Sequence, residues 1–360
     1  MSFTDKKREE IKTYLLRKIF QDDVDFIGKA MDCFGISITT VKRYLQEETD
    51  SQHICADTEK NCGYSLAGKQ KKVEYQLLQD KTEEDKIYAR EIAPFLNLDN
   101  EKAKRIWYYA CAEMLNNVIE HAKGQKLTVL IERNYLFSKV IIVDDGIGIF
   151  KNLVHTLETR GWYKPDMEDA IVELYKGKLS SSPDSHSGEG IFFTSKMLDQ
   201  FFVWSDALIM KCRSIEPVEL VRSHLLAYAS RFNHVGTLVM MMLENATDRD
   251  LSEVFSSYAN MEEGFYKTYI PVKEACITGE PVARSQARRI CHRLEEFQEV
   301  VFDFSNAEFM GQGFADEVFR VFADAHPDIK LLPENMNAEV EMMLRHVINS
   351  KKNSNSKTAS

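Results

Sequence analysis

The chain has 360 residues, 46 Lys and Arg against 56 Asp and Glu, a net charge of −10 and 44% hydrophobic residues, enough for more than one folded core. With only 16 Gly and 8 Pro it is not collagenous or low-complexity, and its acidity argues against coating nucleic acid along its whole length. The longest clear apolar run, Leu238–Leu243, cannot span a bilayer, the start MSFTDKKREE lacks an apolar signal core, and seven scattered Cys read as reduced thiols, so a cytoplasmic protein without a membrane partner is expected.

Residues 1–85 form the first expected unit. Ile11, Leu15, Leu16 and Ile19 keep helical spacing. A second helix is expected over 24–34, ended by Gly35, and a third over 38–46 with Ser37 as N-cap. The stretch FGISITTVKRYL resembles the turn and recognition helix of a helix-turn-helix. Val41 and Leu45 then pack inward, while Thr39, Thr40, Lys42, Arg43 and Tyr44 face a groove or phosphates. Many such motifs have a small residue four places before the turn glycine. Here that place is Met31, with Ala30 one earlier. Residues 62–78, CGYSLAGKQKKVEYQLL, read as a β-hairpin with a basic tip (Lys69, Lys71, Lys72), the wing of a winged helix. DNA is the expected partner, against the plainer reading of a small helical domain that binds protein.

Residues 86–247 carry the chemistry. On a helix around 101–123, Ile106, Ala110, Met114 and Val118 form a stripe for burial. Glu113, Asn117 and His121 lie about 100° round the axis from it, on a face that would otherwise be merely solvated. The apolar strand 139–143 runs into Asp144-Asp-Gly-Ile-Gly-Ile149. Gly146 and Gly148 permit a sharp turn and close backbone approach, and Asp144 can accept from an exocyclic amine; an ordinary Asx turn has the same residues. Ser187-Gly-Glu-Gly-Ile191 enters a helix-like FFTSKMLDQF, so the amides of Gly188 and Gly190 would make an anion site. Gly236-Thr237 opens the strand 238–243, with the Thr237 hydroxyl placed for the same ligand.

In this order and spacing the four elements resemble the four boxes of the GHKL ATPase superfamily, which includes the DNA gyrase B subunit, MutL, histidine kinases and anti-sigma-factor serine kinases. The resemblance covers about residues 95–245. It implies a Bergerat-type α/β sandwich with ATP and Mg²⁺ as cofactors. It implies Glu113 as general base, Asn117 as Mg²⁺ ligand and Asp144 as the adenine contact. Gly146, Gly148, Gly188, Gly190 and Thr237 would border the nucleotide. Glu113, Asn117 and His121 together look most like the anti-sigma serine-kinase branch. No His is followed by Asp or Glu, so an autophosphorylating histidine kinase is not expected. Residues 150–186 would be the lid, with Lys164, Lys176 and Lys178 in reach of phosphates. Related ATPases often dimerise, and a homodimer is compatible with the sequence.

Residues 250–350 read as a small α/β domain: a strand at 299–304, a helix at 314–322, a strand at 329–332 and a helix at 338–348. This resembles the core of STAS domains, the fold of anti-anti-sigma factors, which carry a phosphorylatable Ser in the loop before the helix. Here that loop is Met310-Gly-Gln-Gly-Phe314, and neither Ser305 nor Ser285 stands in the matching place. Docking of a protein partner or sensing is therefore expected of it. Residues 353–360 read as a disordered tail. The fold class expected is α+β multidomain. The function expected is Mg-ATP binding or hydrolysis coupled to DNA binding and transcription control. Two alternatives stand beside it: a serine/threonine protein kinase of the anti-sigma type, and a non-enzymatic DNA-binding regulator with ATP as ligand.

Overall fold

The computed structural model describes residues 4–358 except 81–82, 163, 180–188, 207, 214–217, 261, 263 and 278. At its centre is a six-stranded antiparallel sheet in the order Gly68–Gln76, Lys126–Asn134, Phe137–Asp144, Thr237–Glu244, Gln200–Ser205, Leu208–Arg213. The two middle strands are buried at almost every position because both faces of the sheet are covered. Val140, Ile142, Val239 and Met241 face one core, and Ile141, Val143, Leu238 and Met240 the other. Leu225, from the helix Val218–Ala229, closes the second.

The helix Glu101–His121 covers the first face. Asn100 caps it by accepting from the Lys102 and Ala103 amides, and Ile106, Ala110, Met114 and Val118 are all buried, as their spacing predicts. The helices Ile149–Thr159, Met167–Lys176 and Gly190–Met197 join the same core.

The N-terminal helices Asp5–Phe20, Phe26–Phe34 and Ile38–Asp50 pack round Ile11, Leu15, Ala30 and Val41. Gly35 ends the second with φ 61°, and Ser37 caps the third by accepting from the Thr40 amide. Ala30 is fully buried and Met31 only partly. Tyr44, expected on the outer face, is buried instead, because it shares the inward side with Val41 and Leu45. Thr39, Lys42 and Arg43 are exposed and Thr40 half-buried.

The expected wing is not one hairpin. Tyr64–Leu66 pairs back onto Ile54–Ala56, and Gly68–Gln76 pairs along its whole length with Lys126–Asn134. Lys71, Val73 and Tyr75 alternate inward along it, and a nine-residue alternating strand makes more ladder bonds on a sheet edge than in a short hairpin. Lys69 and Lys72 remain outside, where lysines protect an edge from further pairing. Phe20 meets Phe137 with ring centroids 4.7 Å apart, and Arg17 pairs with Glu244, seating the three helices against the ends of two sheet strands.

The C-terminal part has a three-stranded parallel sheet, Lys267–Pro271, Glu299–Asp303 and Lys330–Glu334. Its helices are Arg284–Cys291, a continuous run from Gln312 to Ala325 that is π-helical over Glu317–Phe322, and Ala338–Thr358. The last helix continues through 353–358, expected as unstructured: no Gly or Pro interrupts it there.

Candidate active site

The face of Glu101–His121 next to its buried stripe looks into a cavity. Glu113, Asn117 and His121 line it, joined by Asp144, Gly148 and Ile149 from the end of the neighbouring strand, Gly190 from a third element and Thr237 from a fourth. Residues distant in the chain thus meet at one place. Gly146 lies beside this set and gives its N–H to Asp144. Gly188 lies outside the described residues.

Asp144 and Thr237 are register partners on adjacent strands. Asp144 Oδ1 accepts from the Gly146 amide at 2.8 Å, the Asp144 carbonyl accepts from the Gly236 amide, and Thr237 Oγ1 accepts from the Ile149 amide at 3.1 Å. Burial pushes the Asp144 carboxyl up to about 6, against the opposing pull of its bonds from Gly146 and Thr237. A buried carboxylate at a strand end, held by backbone amides and bordering a cavity, is a preorganised hydrogen-bond acceptor.

Two glycines are required by space. Gly148 has φ 87°, and a Cβ there would sit 2.6 Å from Ser205 Oγ and 2.8 Å from Asp206 Oδ2. Gly190 is the first residue of its helix, and a Cβ on it would run into the Glu113 carboxylate. Glu113 therefore lies against a helix N-terminus, where a negative charge is favoured. Burial, then the Glu113 and Glu189 carboxylates, push the Tyr109 phenol well above its ordinary value, which places a second acid near Glu113. The Asn117 carboxamide has no hydrogen-bond partner among the described residues and faces the cavity.

The lysines expected near phosphates are engaged elsewhere. Lys176 is buried, pairs with Glu173 at 2.5 Å and donates to the carbonyls of His292 and Arg289. Lys178 donates to the carbonyl of Glu296. Both hold the helix Met167–Lys176 to the C-terminal part, because its outer side is covered by that part rather than by solvent. Lys164 is not among the cavity's lining residues. The other side of this segment sends Leu174 and Leu179 into the cavity.

Reading the sequence missed Asn152, which also lines the cavity; it lies one turn after Ile149, a signal visible on a helical wheel. It also missed Ser205, whose hydroxyl donates to the Gly236 carbonyl at 2.6 Å beside Gly148 and which carries no sequence signal. Asp145 accepts from the Gln125 and Lys126 amides and so ties the glycine turn to the start of the strand Lys126–Asn134.

Residues 286–341 match a family model described as a STAS-like domain of unknown function (DUF4325), so a STAS-like domain occupies the C-terminal part. No curated protein matches the chain. Among the described residues, no helix is long and apolar enough to cross a membrane.

Proposed function

We propose that the chain is a Mg²⁺-dependent ATP-binding regulator of the GHKL type, in which nucleotide binding or hydrolysis governs how a DNA-reading helix-turn-helix and a STAS-like domain are presented. The supporting observation is that Glu113 and Asn117 from one helix, Asp144 and Thr237 from two adjacent strands and the helix start at Gly190 line one cavity together. In this reading Asp144 and Thr237 receive the adenine, since a buried carboxylate can accept from its exocyclic amine and a hydroxyl can relay to the ring. Gly190 brings amides at a helix start to the phosphates. Glu113 takes the proton of the water that attacks the terminal phosphate.

The donor set suits Mg²⁺. Among the described residues no cluster of three His, Cys, Asp or Glu could hold a metal, whereas Asn117 offers one amide oxygen, and Mg²⁺ is commonly held by one or two protein oxygens with water and phosphate completing its shell. When bound, Mg²⁺ supplies charge neutralisation of the triphosphate.

The DNA part of the reading is supported by the exposed Thr39, Lys42 and Arg43 on a helix that follows a tight Gly35 turn. The Met310–Phe314 turn offers no acceptor hydroxyl, so the STAS-like domain serves as a docking or sensing part within a cytoplasmic protein. The test is titration of a fluorescent ATP analogue into wild type and Asp144→Ala. Mg²⁺-dependent binding by wild type that Asp144→Ala abolishes supports the reading, and no binding by wild type overturns it.

A further inference from the structure

A second cleft, sharing no lining residue with the cavity above, opens where residues 160–162 and Asp169 meet the STAS-like domain. Its volume is about 780 Å³, within the range that small-molecule sites occupy. Arg160, Trp162, Arg288, His292, Arg293 and Glu296 line it.

The hydrogen-bond balance of this cleft is one-sided. Its acidic groups are taken. Asp169 accepts from Arg289 Nε and from the Asp166 amide. Glu296 accepts from Arg293 Nε and Nη2 at 2.7 and 3.0 Å. Arg289 is in turn used up on Asp166, Glu168 and Asp169. Several donors are not taken. Arg288 spends only Nε, on Glu317, so among the described residues its two terminal amino groups have no hydrogen-bond partner. The same holds for the ring nitrogens of His292 and the indole N–H of Trp162. Trp162 and His292 lie with ring centroids 4.0 Å apart and their planes tilted by 55°, so the two rings together form one aromatic wall of the cleft. Burial and then Arg293 push the Arg160 guanidinium down against the pull of Glu296 and Glu173, and burial and then Lys176 push His292 down against Glu173 and Glu295.

We propose that this cleft binds the phosphoryl group of a small anionic ligand. A phosphoryl group presents several acceptor oxygens, which match Arg288, His292 and Trp162, and Arg is the side chain best shaped for it. The wall formed by Trp162 and His292 would take a ring on the same ligand by stacking. The ligand would touch both the segment leading into the helix Met167–Lys176, whose Leu174 lines the first cavity, and the STAS-like domain. The inference does not depend on ATP occupying that first cavity.

The test is calorimetric titration of the full chain with inorganic phosphate and with phenyl phosphate at low ionic strength, alongside the fluorescence of Trp162. Saturable binding of at least one probe is expected, weakened about tenfold or more in Arg288→Gln and in His292→Ala. A fluorescence change that disappears in Trp162→Phe is expected with it, and this readout needs no change at Arg288. Tighter binding of phenyl phosphate assigns an organic ligand whose ring lies on the aromatic wall, and equal binding assigns the inorganic ion. Absence of saturable binding by wild type overturns the proposal, and so does binding that both Arg288→Gln and His292→Ala leave unchanged.

Discussion

Gly190 and Glu113 abut: the first residue of one helix lies against the carboxylate of another, with no room for a methyl group between them. The atom in the way is the end of a flexible side chain, so Gly190→Ala should shift the carboxylate rather than disturb the fold, changing stability by less than about 1 kcal/mol. Phosphate release should nevertheless fall about tenfold or more, because the function proposed above needs the Glu113 carboxylate in place beside the attacking water. Adding Glu113→Ala to Gly190→Ala should cost little further, since both act on one group. Steady-state phosphate release and thermal melting on Gly190→Ala, Glu113→Ala and the double variant check this.

Asp144 couples pH to stability. Its carboxyl has an ordinary value of 3.8 when unfolded and is held protonated up to about 6 in the fold. Between those values the folded chain carries the extra proton, so stability falls as pH rises through that window. Asp144→Asn removes the ionisation, and above pH 6 it should be more stable than wild type by roughly 1–3 kcal/mol. The difference should vanish toward pH 4. ATP affinity should fall about tenfold or more in the same variant, because Asn offers an amide N–H donor where a carboxylate oxygen accepted. Urea denaturation and nucleotide titration from pH 4 to 8 read the two effects separately.

Lys176 and Glu173 are almost wholly buried, with Arg293 on the second oxygen of Glu173. Lys176→Met strands the Glu173 charge and leaves the carbonyls of His292 and Arg289 without their donor. The expected cost is roughly 2–4 kcal/mol, less than for an isolated buried pair because Arg293 stays. The double variant Lys176→Met/Glu173→Gln should recover part of it. Chemical denaturation measures both.

On the helix Ile38–Asp50, Lys42→Ala and Arg43→Ala should each reduce the slope of log affinity for DNA against log salt by about one, with no change in melting temperature. Ser37→Ala removes the cap on the Thr40 amide and should cost about 1 kcal/mol. Fluorescence anisotropy across a salt series, with melting curves, distinguishes the two kinds of effect.

What could be read from sequence was what local periodicity and single residues encode. The stripe Ile106–Ala110–Met114–Val118 fixes which way the long helix faces, and the polar face beside it follows from geometry alone. Gly35 and Ser37 mark their turn unaided. The pairing of Asp144 with Thr237 is a register between strands far apart in the chain, and no local pattern holds it. Lys176 was expected in reach of phosphates because burial by another part of the chain has no local signature. The strand Gly68–Gln76 was misplaced because an alternating basic strand suits a wing and a sheet edge equally. The helix Arg284–Cys291 was overlooked because only Ala287, Ile290 and Cys291 face inward among strongly polar neighbours.

That edge strand also decides where the chain can be cut. Only Ala67 separates Tyr64–Leu66 from Gly68–Gln76, so the N-terminal helices join the central sheet without a flexible tether. A fragment beginning near residue 86 would lack the edge strand and bare the hydrogen-bonding groups of Lys126–Asn134, an open ladder that recruits other chains. A fragment beginning at Gly68 keeps the sheet intact. Proteases that nick folded chains at loose connections should accordingly spare Ala67, and the N-terminal helices should turn with the sheet as one lever.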